Sequence, residues 1–271
     1  MSSRSCYSTS RAVIPRLIGV VHLLPLPGSP GYAGSFDEII SRSLNDCKAY
    51  LEGGIDGLIV ENFGDVPFTG GSVPPIVIAS MTRLTAEMKR HFPEVHFGVN
   101  VLRNDAESAL SIAYAVGAEF IRVNVHIGAV VADQGIIQGK AYDTLRLRKN
   151  LGSGIRILAD VSVKHSAQIG AYGIETQAAD ALERGLADAI VVSGSRTGEA
   201  VNMKELKLLR SSFPNARIVI GSGADGRNVK ALLKYADSVI IGTSVKVGGV
   251  TSNPVDPKRL KDFVRAASSS K

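Results

Sequence analysis

Short runs of β-branched and aliphatic residues alternate along the chain with longer segments whose apolar positions recur at helical spacing. In the first helical segment the apolar positions are Phe36, Ile39, Ile40, Leu44, Cys47 and Leu51. The short runs predict eight strands, over residues 17–22, 55–61, 96–101, 119–126, 155–163, 187–193, 217–221 and 238–242. The other helical segments predict helices over residues 76–91, 105–117, 142–151, 173–185, 203–213, 226–235 and 257–267.

This alternation predicts an α/β fold, a single (β/α)8 TIM barrel with parallel strands and right-handed crossovers. The alternative is an open, doubly wound sheet, whose first turn is normally rich in glycine. The first strand leads instead into His22-Leu-Leu-Pro-Leu-Pro-Gly28, which favours the barrel. No linker or change of composition divides residues 14–271, so we expect one domain there. Residues 1–13, rich in Ser and Arg, are expected to form a flexible N-terminal extension.

The composition is that of a globular protein, with 45% hydrophobic and 21% charged residues among 271. No apolar run approaches the roughly 18 residues of a membrane-spanning helix. The net charge of +6 is scattered, aromatic residues make up 6%, and there is no Trp, which argues against nucleic acid as a partner. A basic surface favours anionic small molecules. Peripheral membrane association remains an alternative, since residues 81–92 and 258–267 carry basic side chains.

The two cysteines, Cys6 and Cys47, show no metal-ligand spacing, and we expect neither to be catalytic. Their small number fits a reducing compartment, so the expected location is the cytoplasm. Barrels of this kind often assemble into homo-oligomers, and we expect the same here, although no interface can be predicted from the sequence.

The turns after the seventh and eighth predicted strands have the composition of a phosphate site. Backbone N–H groups, hydroxyl groups and a helix N-terminus can bind a dianion without Lys or Arg, and glycine lets the ligand approach the backbone. The predicted phosphate-binding residues are Gly221, Ser222 and Gly223 in the first turn and Gly242, Thr243 and Ser244 in the second. A third polar turn, residues 193–198, adds Ser195. The alternative is that these glycines only permit tight turns.

Polar side chains also cluster at the ends of five other predicted strands. Because side chains alternate along a strand, Arg122, Asn124 and His126 share one face, and Asp160, Ser162 and Lys164 share another. Buried polar groups are costly unless they are paired or functional, so this ring predicts an active site. The alternative is a structural ring of polar side chains that satisfy one another. The candidate catalytic residues are His22, Glu61, His126, Asp160 and Lys164. The candidate substrate-binding residues are Asn62, Asn100, Arg122, Asn124, His165 and Ser193.

The residue types suggest the roles. Glu61 or Asp160 would be the general base or acid, with the histidines as proton carriers near neutral pH. Lys164 would hold an anion or, with a lowered pKa, form a Schiff base. No cofactor is predicted. A divalent metal held by His22, Glu61, Asp160 and His126 is conceivable, but the spacing matches no metal motif. Residues 63–75 and 127–139 are long loops that would either cover the mouth of the barrel or lie on the surface.

Several of these segments resemble known proteins. The pair Ile-Gly-Ser-Gly-Ala (220–224) and Ile-Ile-Gly-Thr-Ser (240–244) is similar to the ribulose-phosphate-binding barrels. The segments 17–30, 57–68, 98–105, 120–126 and 159–165 resemble the BtpA family, over about residues 16–267. The resemblance implies a TIM barrel. The family takes its name from a cyanobacterial role in photosystem I biogenesis at the thylakoid surface, and other members are encoded beside sugar or nucleoside genes.

Two hypotheses follow. In the first, the protein is an enzyme that acts on a phosphorylated sugar, nucleoside or related metabolite by isomerase, lyase or glycosidic-cleavage chemistry. In the second, it is a non-catalytic assembly factor for a membrane complex of the photosystem type and uses the barrel as a binding scaffold.

Overall fold

The computed structural model describes residues 13–162, 166–170, 172–194 and 201–268. Within these ranges eight parallel strands close into a barrel that is surrounded by helices, which confirms the TIM-barrel prediction. In chain order, the strands are β1 (Leu17–His22), β2 (Gly57–Glu61), β3 (His96–Asn100), β4 (Phe120–Val123), β5 (Ala129–Ala132), β6 (Gly135–Gln138), β7 (Arg156–Val161), β8 (Ser166–Gln168), β9 (Ala189–Val192), β10 (Ile218–Ile220) and β11 (Ser238–Ile241). Around the barrel the order is β1, β2, β3, β4, β7, β9, β10 and β11.

The helices lie in the eight predicted segments and, with two exceptions, follow them closely. They are α1 (Phe36–Glu52), α2 (Pro75–His91), α3 (Ala106–Val116), α4 (Ala141–Asn150), α5 (Ile174–Ala179), α6 (Met203–Ser212), α7 (Val229–Leu232) and α8 (Pro257–Ser268). Side-chain caps fix three of the starts, because Ser35 accepts from the N–H of Glu38, Asp105 from that of Ser108 and Asn202 from that of Lys204. Gly117 ends α3 in the left-handed conformation, with φ of 68°.

Two helices differ from the prediction. After Ala179 the chain continues as a π-helical turn, Asp180–Arg184. The helix expected over residues 226–235 is reduced to the four residues of α7. The Asp225 carboxylate accepts hydrogen bonds from the backbone N–H groups of Arg227 and Asn228, at 2.8 and 3.1 Å. This local turn competes with helix formation, so the helix begins only at Val229.

The inside of the barrel is filled by side chains at alternate positions of its strands. The buried interior cluster consists of Ile14, Ile18, Val20, Ile59, Phe120, Leu158, Ala189, Val191, Val219 and Ile240. Phe120 fills the space that Gly98 leaves on the neighbouring strand, where a Cβ would collide with the ring. The larger apolar cluster lies between the strands and the helices.

The same alternation decides what lies above this apolar layer. Beyond the last interior residue of each strand, at the carboxyl end, the next inward positions are His22, Glu61, Asn100, Arg122, Asp160, Ser193, Gly221 and Gly242. The ring of polar groups expected from the sequence therefore lies at the carboxyl-terminal mouth, where TIM barrels carry their active sites.

A small antiparallel sheet, in the order β6, β5, β8, lies outside the barrel. It forms from residues 127–139, expected to be a loop, together with the segment after β7. Gly70, in the loop after β2, approaches the turn of the β5–β6 hairpin so closely that a Cβ there would lie 3.2 Å from the Cβ of Gln134. The two long segments after β2 and β4 thus meet each other.

Candidate functional site

Two cavities open at the carboxyl-terminal mouth of the barrel. The first, about 770 Å³, is lined by the turns after β10 and β11, and we call it the turn lobe. The second, about 470 Å³, is lined by Asn100, Asn124 and Gln134, and we call it the amide lobe. Glu61, Phe63 and Arg122 line both cavities, so these residues mark where the lobes meet.

The turn lobe brings the two predicted phosphate turns together. The Ser244 hydroxyl donates to the carbonyl of Ala224 at 2.7 Å, which ties one turn to the other. The Asn228 side chain donates to the carbonyl of Gly223 at 2.8 Å. All six residues expected to bind phosphate here, Gly221, Ser222, Gly223, Gly242, Thr243 and Ser244, line this cavity.

The turn lobe is rich in hydrogen-bond donors that the protein does not use. Across the described chain, no residue accepts a hydrogen bond from the backbone N–H groups of Ser222, Gly223, Thr243 or Ser244. The buried hydroxyl of Ser222 has no hydrogen-bond partner among the described residues either. By contrast, Thr243 shares a hydrogen bond with Thr251 at 2.9 Å. Backbone amides and a spare hydroxyl of this kind are the groups that hold a phosphate in a nest.

The glycines at the strand ends also have a packing role. A Cβ at Gly221 would lie 2.6 Å from Ser193 Oγ and 3.0 Å from Arg122 Nη2, and one at Gly242 would lie 2.6 Å from His22 Cε1. These glycines are therefore required by the neighbouring strands, whether or not a ligand binds. Gly223 is different, because its φ of +75° places it in the left-handed region. The turn conformation itself requires that glycine.

Glu61 is the carboxylate that lies between the lobes. It is 8% exposed, and its Oε2 accepts a hydrogen bond from Asn100 Nδ2 at 2.8 Å. No residue within the described ranges donates to its other oxygen, Oε1. His22 pairs with Glu61 in the register of β1 and β2, and its ring meets that of Phe63 edge to face, with centroids 4.9 Å apart. Glu61 thus combines burial, an orienting partner and an oxygen to which no described residue donates.

Asp160 is held by three donors. Arg122 binds it through Nε at 2.8 Å and Nη2 at 2.9 Å, and Asn124 Nδ2 donates to it at 2.9 Å. Burial of Arg122 opposes its charge, but the attraction of Asp160 outweighs this, and the pKa of Arg122 is raised. A two-pronged contact of this kind fixes the relative orientation of the carboxylate and the guanidinium group. This position favours Asp160 as the group that orients Arg122 rather than as a general acid.

Two more substrate-binding candidates lie near these groups. Asn124 is 4% exposed, lines the amide lobe, and has an Oδ1 atom with no hydrogen-bond partner in the described part of the protein. It also lines a third cavity of about 430 Å³ beside β5 and β8. Ser193 packs beside Gly221, and its buried hydroxyl likewise has no partner among the residues described.

Asn62 holds a loop instead of lining either lobe. Its Oδ1 accepts from the N–H of Leu102 at 2.7 Å, and its Nδ2 donates to Asp65 at 3.2 Å. Asp65 in turn accepts from the N–H of Leu26 at 2.8 Å, and burial raises the pKa of this carboxyl. Asn62 therefore connects the segments after β1, β2 and β3, and its role in substrate binding would be indirect.

His126 lies apart from the other candidates. β4 ends at Val123, so the alternation that places Arg122 and Asn124 in the mouth does not extend to residue 126. The His126 ring contacts the carbonyl of Gly185 through Nε2 at 2.8 Å, just before β9, and burial lowers its pKa. The expectation that it shares a face with Arg122 and Asn124 is not met, because the strand ends too early.

Three predicted site residues, Lys164, His165 and Ser195, lie outside the described residues. Among the residues that are described, no group of three or more His, Cys, Asp or Glu side chains is arranged to hold a metal ion. The set considered for a metal, His22, Glu61, Asp160 and His126, is thus not assembled.

The structure adds site residues that strand alternation could not reveal. Phe63 and Phe68 come from the loop after β2, with ring centroids 6.5 Å apart, and Asp133 and Gln134 come from the turn between β5 and β6. Arg259, at the start of α8, lines the turn lobe and donates to the Ser244 carbonyl at 3.4 Å. The length of the two loops was the only signal in the sequence that pointed to the first four.

Comparison with known proteins places these features in context. The model of the BtpA family matches residues 14–269. A protein of Synechocystis named photosystem I biogenesis protein BtpA is 44% identical over 250 residues, covering 92% of this chain and 87% of the relative. A protein of Pyrococcus furiosus is 47% identical over 255 residues, covering 93% and 95% of the two chains.

Solved structures with similar folds share little sequence. Phosphoribosyl anthranilate isomerase from Thermus thermophilus superposes with a TM-score of 0.57 at 13% identity, over 94% of this chain and all of the isomerase. This likeness shows the fold alone. Over the described residues, the protein has no helix with the length and apolarity needed to cross a membrane.

Proposed function

This chain belongs to the BtpA family, and we propose that it is an enzyme that binds a phosphorylated small molecule and acts on it by acid–base chemistry. The phosphate lies in the turn lobe, and the reacting part of the molecule lies next to Glu61. The substrate is a phosphorylated sugar, nucleoside or related metabolite, and the reaction is an isomerisation, an elimination or a glycosidic cleavage. The observation that carries the proposal is the set of unused donors in the turn lobe.

Phosphate binding rests on the chemistry of those donors. The unused N–H groups belong to two turns that are joined by the bond from Ser244 to Ala224, so their relative position is fixed before a ligand arrives. Preorganised donors bind an anion without the cost of assembling them. The similarity in fold to phosphoribosyl anthranilate isomerase agrees with this proposal and does not carry it.

Acid–base chemistry rests on Glu61. Asn100 orients its carboxylate, Glu61 lines both lobes, and no described residue donates to its other oxygen. A substrate whose phosphate occupies the turn lobe would therefore bring its neighbouring carbon atoms beside this oxygen. His22 adjoins Glu61 and would share the proton transfers.

Thermal-shift and calorimetric titrations with inorganic phosphate and with a panel of phosphorylated metabolites test the phosphate site. Ser222→Asp places a negative charge among the donors and should abolish phosphate binding. Ser222→Asn introduces a side chain of nearly the same shape as aspartate but without the charge, and it should retain most of the binding. Equal binding to both variants, or no binding of any phosphorylated compound to the wild-type protein, would refute the turn lobe as a phosphate site.

The second candidate function is assembly of a membrane complex, which the name of the Synechocystis relative favours. An assembly factor that uses the barrel only as a scaffold would tolerate Glu61→Gln, because no proton transfer depends on it. Retention of partner binding and of biological activity by this variant would support assembly over catalysis.

A further inference from the structure

The amide lobe contains three side-chain amides that are oriented in the same way. Asn100 Nδ2 donates to Glu61 at 2.8 Å, Asn124 Nδ2 to Asp160 at 2.9 Å, and Gln134 Nε2 to Asp133 at 2.6 Å. A carboxylate only accepts hydrogen bonds, so the nitrogen of each amide must face it. Each amide oxygen is therefore directed away from its carboxylate.

Two of these oxygens have no hydrogen-bond partner among the described residues. Within the described ranges nothing donates to Asn124 Oδ1 or to Gln134 Oε1, and both atoms are buried. Asn62 provides an internal comparison, because its nitrogen also faces a carboxylate, that of Asp65, but its oxygen accepts from the N–H of Leu102. In Asn62, an amide with a structural role, both the nitrogen and the oxygen thus have hydrogen-bond partners. Asn124 and Gln134 are satisfied at one end only, and leaving a buried acceptor unpaired is unfavourable.

The charges of the amide lobe do not favour a second anion. Its lining contains the carboxylates of Glu61, Asp133 and Asp160 and the guanidinium groups of Arg103 and Arg122. Arg122 is already committed to Asp160, and Arg103 takes part in an interaction of its own. The lobe is therefore rich in acceptors, whereas the turn lobe is rich in donors.

We propose that the amide lobe binds the hydroxylated end of a sugar phosphate whose phosphate group occupies the turn lobe. Sugar hydroxyls donate hydrogen bonds to Asn124 Oδ1 and Gln134 Oε1, and the C–H faces of the sugar pack against Phe63 and Phe68. Since Glu61 lines both lobes, its carboxylate lies between the phosphate and the far hydroxyl groups. This inference rests on the proposed function, because it takes the turn lobe as the phosphate site, and it assigns specificity to residues outside that lobe.

Isothermal titration with inorganic phosphate, ribose 5-phosphate, fructose 6-phosphate, glucose 6-phosphate and adenosine monophosphate tests the proposal. At least one sugar phosphate should bind the wild-type protein more than about tenfold more tightly than inorganic phosphate does, through hydrogen bonds in the second lobe. Gln134→Met keeps the shape of the side chain but removes the acceptor, and it should weaken the binding of that sugar phosphate about five- to tenfold. Its affinity for inorganic phosphate should not change.

Gln138→Met is the matched control, since Gln138 is exposed on the same hairpin and does not line the lobe. It should leave all affinities unchanged. Asn124→Leu should have the same effect on affinity as Gln134→Met. If the buried Asn124→Leu variant does not fold, Gln134→Met still tests the proposal, because Gln134 lies on an outer turn.

The outcomes separate the two proposals. If inorganic phosphate binds and is lost in Ser222→Asp, but no sugar phosphate binds more tightly, the inference about the amide lobe fails and the phosphate site stands. If adenosine monophosphate binds most tightly and Gln134→Met weakens it, the lobe holds a nucleobase and the inference also fails. If neither inorganic phosphate nor any of the phosphorylated compounds binds, the proposed function fails.

Discussion

The turn lobe and the amide lobe share one wall but are built from different parts of the chain. The turn lobe offers backbone N–H groups of residues 222–223 and 243–244, which exist whatever the side chains are. The amide lobe offers side-chain oxygens whose direction depends on paired carboxylates. The first lobe should therefore tolerate side-chain changes that keep the turn conformation. The second should lose its selectivity when a single amide or carboxylate is replaced.

The largest effect is expected from breaking the ion pair that underlies the amide lobe. Arg122→Met removes one partner of a buried pair and leaves Asp160 buried without its main donor, which should lower the free energy of unfolding by about 3–5 kcal/mol. Urea denaturation measures this loss. The double variant Arg122→Met/Asp160→Leu should recover part of the stability, and a double variant as unstable as the single one would contradict the pairing as the cause.

Replacing the group shared by both lobes should affect turnover more than binding. Glu61→Gln keeps the size of the side chain and removes the proton-accepting charge, so kcat for the substrate found by the titrations should fall about 100-fold or more. The affinity for inorganic phosphate should stay within about twofold, because Glu61 does not contribute to the donor set. Unchanged kcat would exclude Glu61 as the catalytic base.

The turn lobe should be sensitive to backbone conformation in one position. Gly223→Ala forces an L-residue to adopt a φ of +75° and should lower the free energy of unfolding by about 1–2 kcal/mol, with weaker phosphate binding. Gly226→Ala is the control, because Gly226 lies three residues away with open space around its Cα and without a positive φ. Urea denaturation of both variants should show a loss only at position 223, and equal losses would point to a general disturbance of the turn.

The smallest expected effect concerns His126, which lies outside both lobes. Burial lowers its folded-state pKa below the ordinary 6.5, so the unfolded chain takes up the proton more readily than the folded one. Stability should therefore fall as the pH drops below about 6.5, until the folded-state pKa is passed. His126→Gln, which still has an N–H for the Gly185 carbonyl, should show a shallower fall in urea denaturation between pH 7 and 5. Its activity profile should not change.

The sequence determined the barrel and most of the site. Hydrophobic alternation located all eight barrel strands, and the period of two placed Glu61, Asn100, Arg122 and Asp160 at one end of them. Glycine and hydroxyl residues after the last two strands marked the turns that line the turn lobe. These features are local or repeat with a fixed period, so they can be read from neighbouring residues.

Only the tertiary structure decided how the polar groups are paired. Asp160 is bound by Arg122, 38 residues earlier, and a carboxylate saturated in this way cannot be distinguished from a free one in the sequence. His126 leaves the mouth because β4 ends at Val123, and Gln134 enters it because a hairpin folds back over the strand ends. Such contacts depend on where strands stop and on how distant loops pack, and neither is set by the local pattern of residues.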